Sequence, residues 1–91
     1  MKITVAGITF DYHDYDERGD VLFLHVGEPK QPPASAFETI EGHTIEYDGR
    51  GAVVGLELMG VRAAIESGRP LQLTWPPAEL AASALQKAVA A

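Results

Sequence analysis

The groups in this chain able to do chemistry are three histidines, His13, His25 and His43, and the carboxylates strewn between them. The histidines are 12 and 18 residues apart, so no pair has the close helical spacing of a zinc motif, and only strands folding side by side could bring them together. His25 shares a strand face with Val21 and Phe23 and reads as a packed or interface histidine, with metal binding or acid–base work as the alternative. His13 and His43 stand at strand margins and are expected to be exposed. Among the acidic residues, Glu38, Glu41, Glu46 and Glu57 could furnish a general acid–base pair, provided two converge and one is desolvated.

Asp14-x-Asp16-x-Arg18-Gly19 shares the opening spacing of a calcium loop, which sets acidic ligands at alternate positions before a glycine. Arg18 then puts a positive charge at a ligand position, and His25 stands where a bidentate glutamate would close the site. A solvated hairpin turn is therefore the reading. Ser35, Thr39, Ser67 and Ser83 lack the strained Gly-x-Ser-x-Gly elbow that exposes a nucleophile. The glycines form neither a dinucleotide fingerprint nor a phosphate loop. No catalytic, cofactor-binding or metal-ligating residue is assigned, and no cofactor is expected.

Thirteen acidic against seven basic residues give the chain a formal charge of −6 and a pI near 4.8. The basic residues are scattered, so nothing offsets repulsion from a phosphate backbone, and nucleic acid is excluded as a partner. The acidity serves solubility, or it presents a face to a basic protein. Cysteine is absent, which excludes disulfides, thiolate-bound zinc and thiol catalysis. No apolar run approaches the about 20 residues of a membrane span, and residues 1–7 lack the apolar stretch of a signal peptide. A cytoplasmic protein without membrane contact is the expectation.

The elements that would position these groups are written in a repeated phrase. Tyr15-Asp16-Glu17-Arg18-Gly19-Asp20-Val21-Leu22-Phe23-Leu24 returns 32 residues later as Tyr47-Asp48-Gly49-Arg50-Gly51-Ala52-Val53-Val54-Gly55-Leu56. Each copy reads as strand, tight turn, strand, and in the first Asp16 opens the turn and Gly19 accepts φ > 0 at its end, as in a type I turn closed by a glycine bulge. Period-two alternation from Ile3 to Tyr12 adds strands around a turn at Ala6-Gly7. Three prolines within 28–36 mark a surface connection, and Phe37 and Ile40 anchor a short edge segment. Val61, Ala64 and Ile65 fit one face of a short helix stopped by Gly68. Leu71, Leu73 and Trp75 alternate as a short strand or extended link, with Trp75 either capping the core or anchoring another chain. Pro76-Pro77 is expected to open a C-terminal helix whose stripe is Leu80, Ala81, Ala84, Leu85, Ala88 and Val89.

The fold class that follows is α+β in a single domain, residues 1–91: an antiparallel sheet of five or six strands built from β-hairpins, packed by a C-terminal helix. Leu22, Leu24, Val26, Leu56 and Leu58 are the expected core. Val21, Phe23 and His25, on the opposite face, form the candidate dimer or partner surface.

Residues 15–59 also resemble a family of small prokaryotic proteins known as domain of unknown function two-two-eight-three. Its first block, Tyr-Asp, a turn and Asp-x-Leu-Tyr-Ile-x-Leu, is similar to Tyr15–Val26. Its second, Tyr-Asp-x-x-Gly-x-Val-Val-Gly-Ile-Glu-Ile-Leu, is similar to Tyr47–Met59. The resemblance implies a compact antiparallel sheet with a C-terminal helical element, dimeric, and an antitoxin-like role beside small toxins. It brings no catalytic residue. On this basis residues 11–59 are a family-like hairpin core and 60–91 a helical extension.

The functional expectation is a non-catalytic, homodimeric protein–protein interaction module. The alternative is a small-ligand or metal-binding protein, or a hydrolase, using His25, His43 and nearby carboxylates.

Overall fold

The computed structural model describes residues 2–27 and 32–90; residues 28–31 of the proline-bearing connection lie outside them. Among the described residues, strands β1 (Ile3–Val5), β2 (Ile8–Phe10), β3 (Tyr12–Asp16), β4 (Val21–His25), β5 (Ser35–Glu38), β6 (Thr44–Tyr47) and β7 (Val53–Met59) precede helix α1 (Val61–Ser67). Strands β8 (Leu71–Leu73) and β9 (Ala78–Leu80) and helix α2 (Ala82–Ala90) follow. The main sheet is antiparallel with order β3-β4-β7-β6-β5, and two-stranded sheets β1-β2 and β8-β9 flank it. This is the α+β architecture the alternation predicts. No described helix is long and apolar enough to cross a membrane.

The two copies of the repeat become hairpins β3–β4 and β6–β7, whose inner strands pair antiparallel. Leu24 lies directly opposite Leu56, its counterpart in the repeat, and Leu22 lies opposite Leu58. The duplication is thus an approximate two-fold arrangement about the Leu24–Leu56 pair. The turns are not equivalent. In the second, Asp48 N–H bonds the Ala52 carbonyl at 2.9 Å, Gly51 N–H bonds the Asp48 carbonyl at 3.1 Å, and Gly51 takes φ 85°, which is the glycine bulge that the sequence predicts for the first turn. In the first, Asp20 takes the left-handed conformation at φ 55°, and Gly19 does not. A Cβ on Gly19 would sit 3.1 Å from Asp16 Oδ2 and 3.3 Å from Val21 Cγ2, so glycine there answers close packing instead.

Leu22, Leu24, Leu56 and Leu58 are buried as expected, and Val26 is half-buried beyond the end of β4. Their face is covered by Val61, Leu85 and Ala88 from the helices, Val5 and Phe10 from β1 and β2, and Leu71, Leu73 and Leu80 from β8–β9. Gly68 stops α1 in a left-handed conformation, donating its N–H to Ile65. The C-terminal helix begins later than Pro76-Pro77: residues 78–80 form β9 instead. Leu71 pairs with Leu80 and Leu73 with Ala78, and this period-two pattern buries Leu71, Leu73 and Leu80 while exposing Gln72 and Glu79. A helix over the same residues would spread those leucines around its axis.

Helix α1 begins after Gly60, which has no side chain to cap it. Asp20 supplies the cap from the first hairpin. Its Oδ1 accepts Arg62 N–H at 2.8 Å and the Tyr15 hydroxyl at 2.7 Å, and its carbonyl accepts Gly60 N–H at 3.1 Å. Burial first, and the Asp20 carboxylate second, push the Tyr15 phenol above its ordinary value. Replacing Asp20 with Ala removes a helix cap, with an expected loss of about 1 kcal/mol; Asp20→Asn keeps an acceptor and loses less. Urea unfolding of the two variants checks the order.

Candidate functional site

His43 is buried, contrary to the exposure expected at a strand margin, because β7 and β8 close over it. Its Nδ1 accepts Met59 N–H at 3.0 Å, and its Nε2 faces the Gln72 carbonyl at 3.1 Å. Those partners require the neutral tautomer with the proton on Nε2. Burial holds its pKa below the ordinary histidine value, partly offset by the Gln72 carbonyl and the Glu41 charge. Both ring nitrogens are committed, so His43 ties the start of β6 to β7 and β8.

Two further contacts fasten the same C-terminal hairpin. Glu41 accepts hydrogen bonds from the Thr74 hydroxyl and from Thr74 N–H at 3.3 Å. The hydroxyl bond is the main reason its pKa falls to about 2. Trp75 Nε1–H donates to the Tyr47 hydroxyl at 3.0 Å. Beside His43, a shallow depression of about 600 Å³ is lined by Ala64, Ser67, Arg69 and Gln72, among others. Ser67 Oγ donates to the Ala64 carbonyl at 3.0 Å and accepts Arg69 N–H at 3.2 Å. Its hydroxyl is thus occupied by backbone groups on both its donor and its acceptor side.

His25 lies elsewhere. Strand alternation puts it on the face opposite Leu24, three residue steps along the sheet from His43 and on the other side. The structure does not bring the two histidines together. It does bring His25 and Glu46 into one cross-strand row, on either side of Gly55. His25 is 1% exposed, and among the described residues neither ring nitrogen has a hydrogen-bond partner. The Glu46 side chain folds over Gly55: a Cβ there would overlap its Oε1 and lie 3.3 Å from its Cβ. His13 is half-buried on β3, opposite Leu24. Asp16 and Asp48 spend carboxylate oxygens on turn amides, at 3.1 Å to Arg18 N–H and 2.8 Å to Arg50 N–H. Among the described residues no three His, Asp or Glu side chains could hold a metal ion.

Within β4, Val21 and His25 are buried in the single chain and Phe23 is half-buried. Large exposed apolar side chains gather instead at the opposite edge of the sheet. Phe37 is 62% exposed, Ile40 91% and Trp75 61%. Together with Ile45, Tyr47 and Thr74 they line a groove of about 340 Å³ beside β5. The Phe37 and Tyr47 rings meet edge to face with centroids 5.7 Å apart. All four residues of β5 are exposed, and among the described residues no strand pairs with its outer edge. The sequence pattern places Phe37 and Ile40 on an edge and gives Trp75 two uses, but it does not join them, because only the return of β8–β9 brings Trp75 to Tyr47. Comparisons of the chain with protein-family models, with curated proteins and with solved structures return no match.

Two outcomes test this geometry. Since folding depresses the His43 pKa, the unfolded chain takes up the proton first, and the stability His43 contributes is full above about 6.5 and lost as pH falls below it. His43→Leu is expected to cost about 1–3 kcal/mol near neutral pH by leaving Met59 N–H and the Gln72 carbonyl unpaired, and urea unfolding should show that difference shrinking on acidification. Gly55→Ala is expected to cost about 1–3 kcal/mol by crowding Glu46. The double variant with Glu46→Ala should recover most of it, read as a double-mutant cycle.

Proposed function

We propose that this chain is a non-catalytic protein–protein interaction module that works as a cytoplasmic homodimer. The observation that carries the reading is the aromatic groove beside an open strand edge. A contiguous apolar patch next to unpaired backbone is a surface that association hides from water. The polar groups agree with it. His43, Glu41, Ser67, Asp16, Asp20 and Asp48 all hold backbone or neighbouring side chains in place, which leaves no convergent reactive set among them. Two chains of charge −6 repel each other, so apolar burial and strand pairing must drive the contact, and added salt should tighten it.

Light scattering in solution is the test. At a concentration on the order of 100 μM, suited to a small interface, the expected mass is twice the 9.8 kDa chain, and the dimer fraction rises with salt. A mass of one chain throughout would overturn the reading.

The narrower, antitoxin-like form, in which the module neutralises a basic protein, draws on the sheet face opposite the core. Strand alternation puts Asp14, Asp16, Glu38 and Glu57 there, and an acidic sheet face suits a basic partner. If this form is right, Asp14→Lys with Glu57→Lys releases a bound basic protein while the homodimer persists.

A further inference from the structure

Resting on the homodimer reading, we infer that two copies join edge to edge through β5, with Phe37 of one copy directly opposite Phe37 of the other on the two-fold axis. The backbone dictates this register. Thr39 N–H bonds the His43 carbonyl at 2.7 Å, and the pairing of β5 with β6 is continuous through Phe37↔Ile45 to Ser35↔Tyr47. In an antiparallel ladder, hydrogen-bonded pairs alternate. Ser35, Phe37 and Thr39 therefore spend their backbone groups on β6, and Ala36 and Glu38 turn theirs toward the open edge.

A second β5 must meet those outward groups with its own. Three symmetric registers do so within the strand. Centring on Glu38 sets two carboxylates face to face, which is repulsive. Centring on Ala36 pairs its two methyl groups on the axis, sets Phe37 opposite Ser35, and calls on Ala34, whose N–H is already spent on the Tyr47 carbonyl at 2.8 Å. Centring on Phe37 bonds Ala36 of each copy to Glu38 of the other, giving four backbone hydrogen bonds. It also makes the two Phe37 residues a non-hydrogen-bonded pair, the geometry in which opposing side chains come closest. Both rings then stand on the groove side of the joined sheet, where each already meets Tyr47 edge to face. The partner ring closes the open side of the groove, and Ile40 falls against the residues just before β5 of the second copy.

At the other sheet edge, antiparallel contact of two β3 strands centred on Asp14 opposes two carboxylates. The area also fits. The open parts of Phe37, Ile40 and Trp75 amount to about 400 Å² per copy, so with the strand edges the contact buries at most roughly 1,000 Å² in total, the low end of specific interfaces. The sheet becomes a continuous ten-stranded one.

The chain has no cysteine, so single-cysteine variants read the register directly. Phe37→Cys should form an intersubunit disulfide in high yield under mild oxidation, because its Cα atoms face each other at a bridgeable separation. Glu38→Cys, displaced from the axis, should not. Ala36→Pro removes an outward N–H without touching a bond to β6 and should give a monomer whose circular dichroism matches the parent. If the parent is a dimer but Phe37→Cys fails to cross-link, or Glu38→Cys links as readily, the β5 register is overturned and the homodimer reading survives. If the parent stays monomeric, both fall. Should Ala36→Pro unfold, the two cysteine variants decide alone.

Discussion

Everything in this molecule hangs on the antiparallel contact between β4 and β7. These strands come from different hairpins, and their pairing sets Leu22 against Leu58 and Leu24 against Leu56, all four at or below 1% exposure. A single hairpin is marginal in water. Joined along this seam, two hairpins make one apolar face broad enough for helices α1 and α2 and the small flanking sheets to cover. The same pairing brings Gly55 between Glu46 and His25, and it carries Met59 to the ring of His43. A slip of one residue would turn every leucine to the other side.

The second layer is fastened by polar groups rather than by apolar burial alone. Asp20 reaches 42 residues along the chain to cap α1. His43, Glu41 and Tyr47 each bond the stretch from Gln72 to Trp75. Side chains that look reactive in isolation are here struts between segments distant in sequence. Because those bonds hold β8–β9 against β6, Trp75 ends up beside Phe37 and Tyr47, and the groove exists at all. The groove is thus a by-product of how the C-terminal hairpin is anchored.

Much of the sheet was legible from alternation, since a strand with one buried face writes its geometry into every second residue. The strand Val21–His25, the tight turn over 48–51 and the stop at Gly68 follow from local chemistry, and each is found where that chemistry points. Residues 76–82 misled because proline suits the first turn of a helix and equally a bend between strands; the choice fell to the burial of Leu71, Leu73 and Leu80 together. The first turn misled because Asp can adopt the left-handed conformation when its carboxylate is held by distant groups, here Tyr15 and Arg62.

Residue order alone determined which stretches are strands, where tight turns fall and which leucines face inward, because those properties depend on neighbours one to four positions away. Only the tertiary structure decided what the polar side chains do. Whether His43 is a free base or a buried tie, and whether Trp75 caps a core or walls a groove, depends on segments about thirty residues distant arriving beside them. Burial and hydrogen-bond partners across such separations are properties of the folded chain, and no local pattern encodes them.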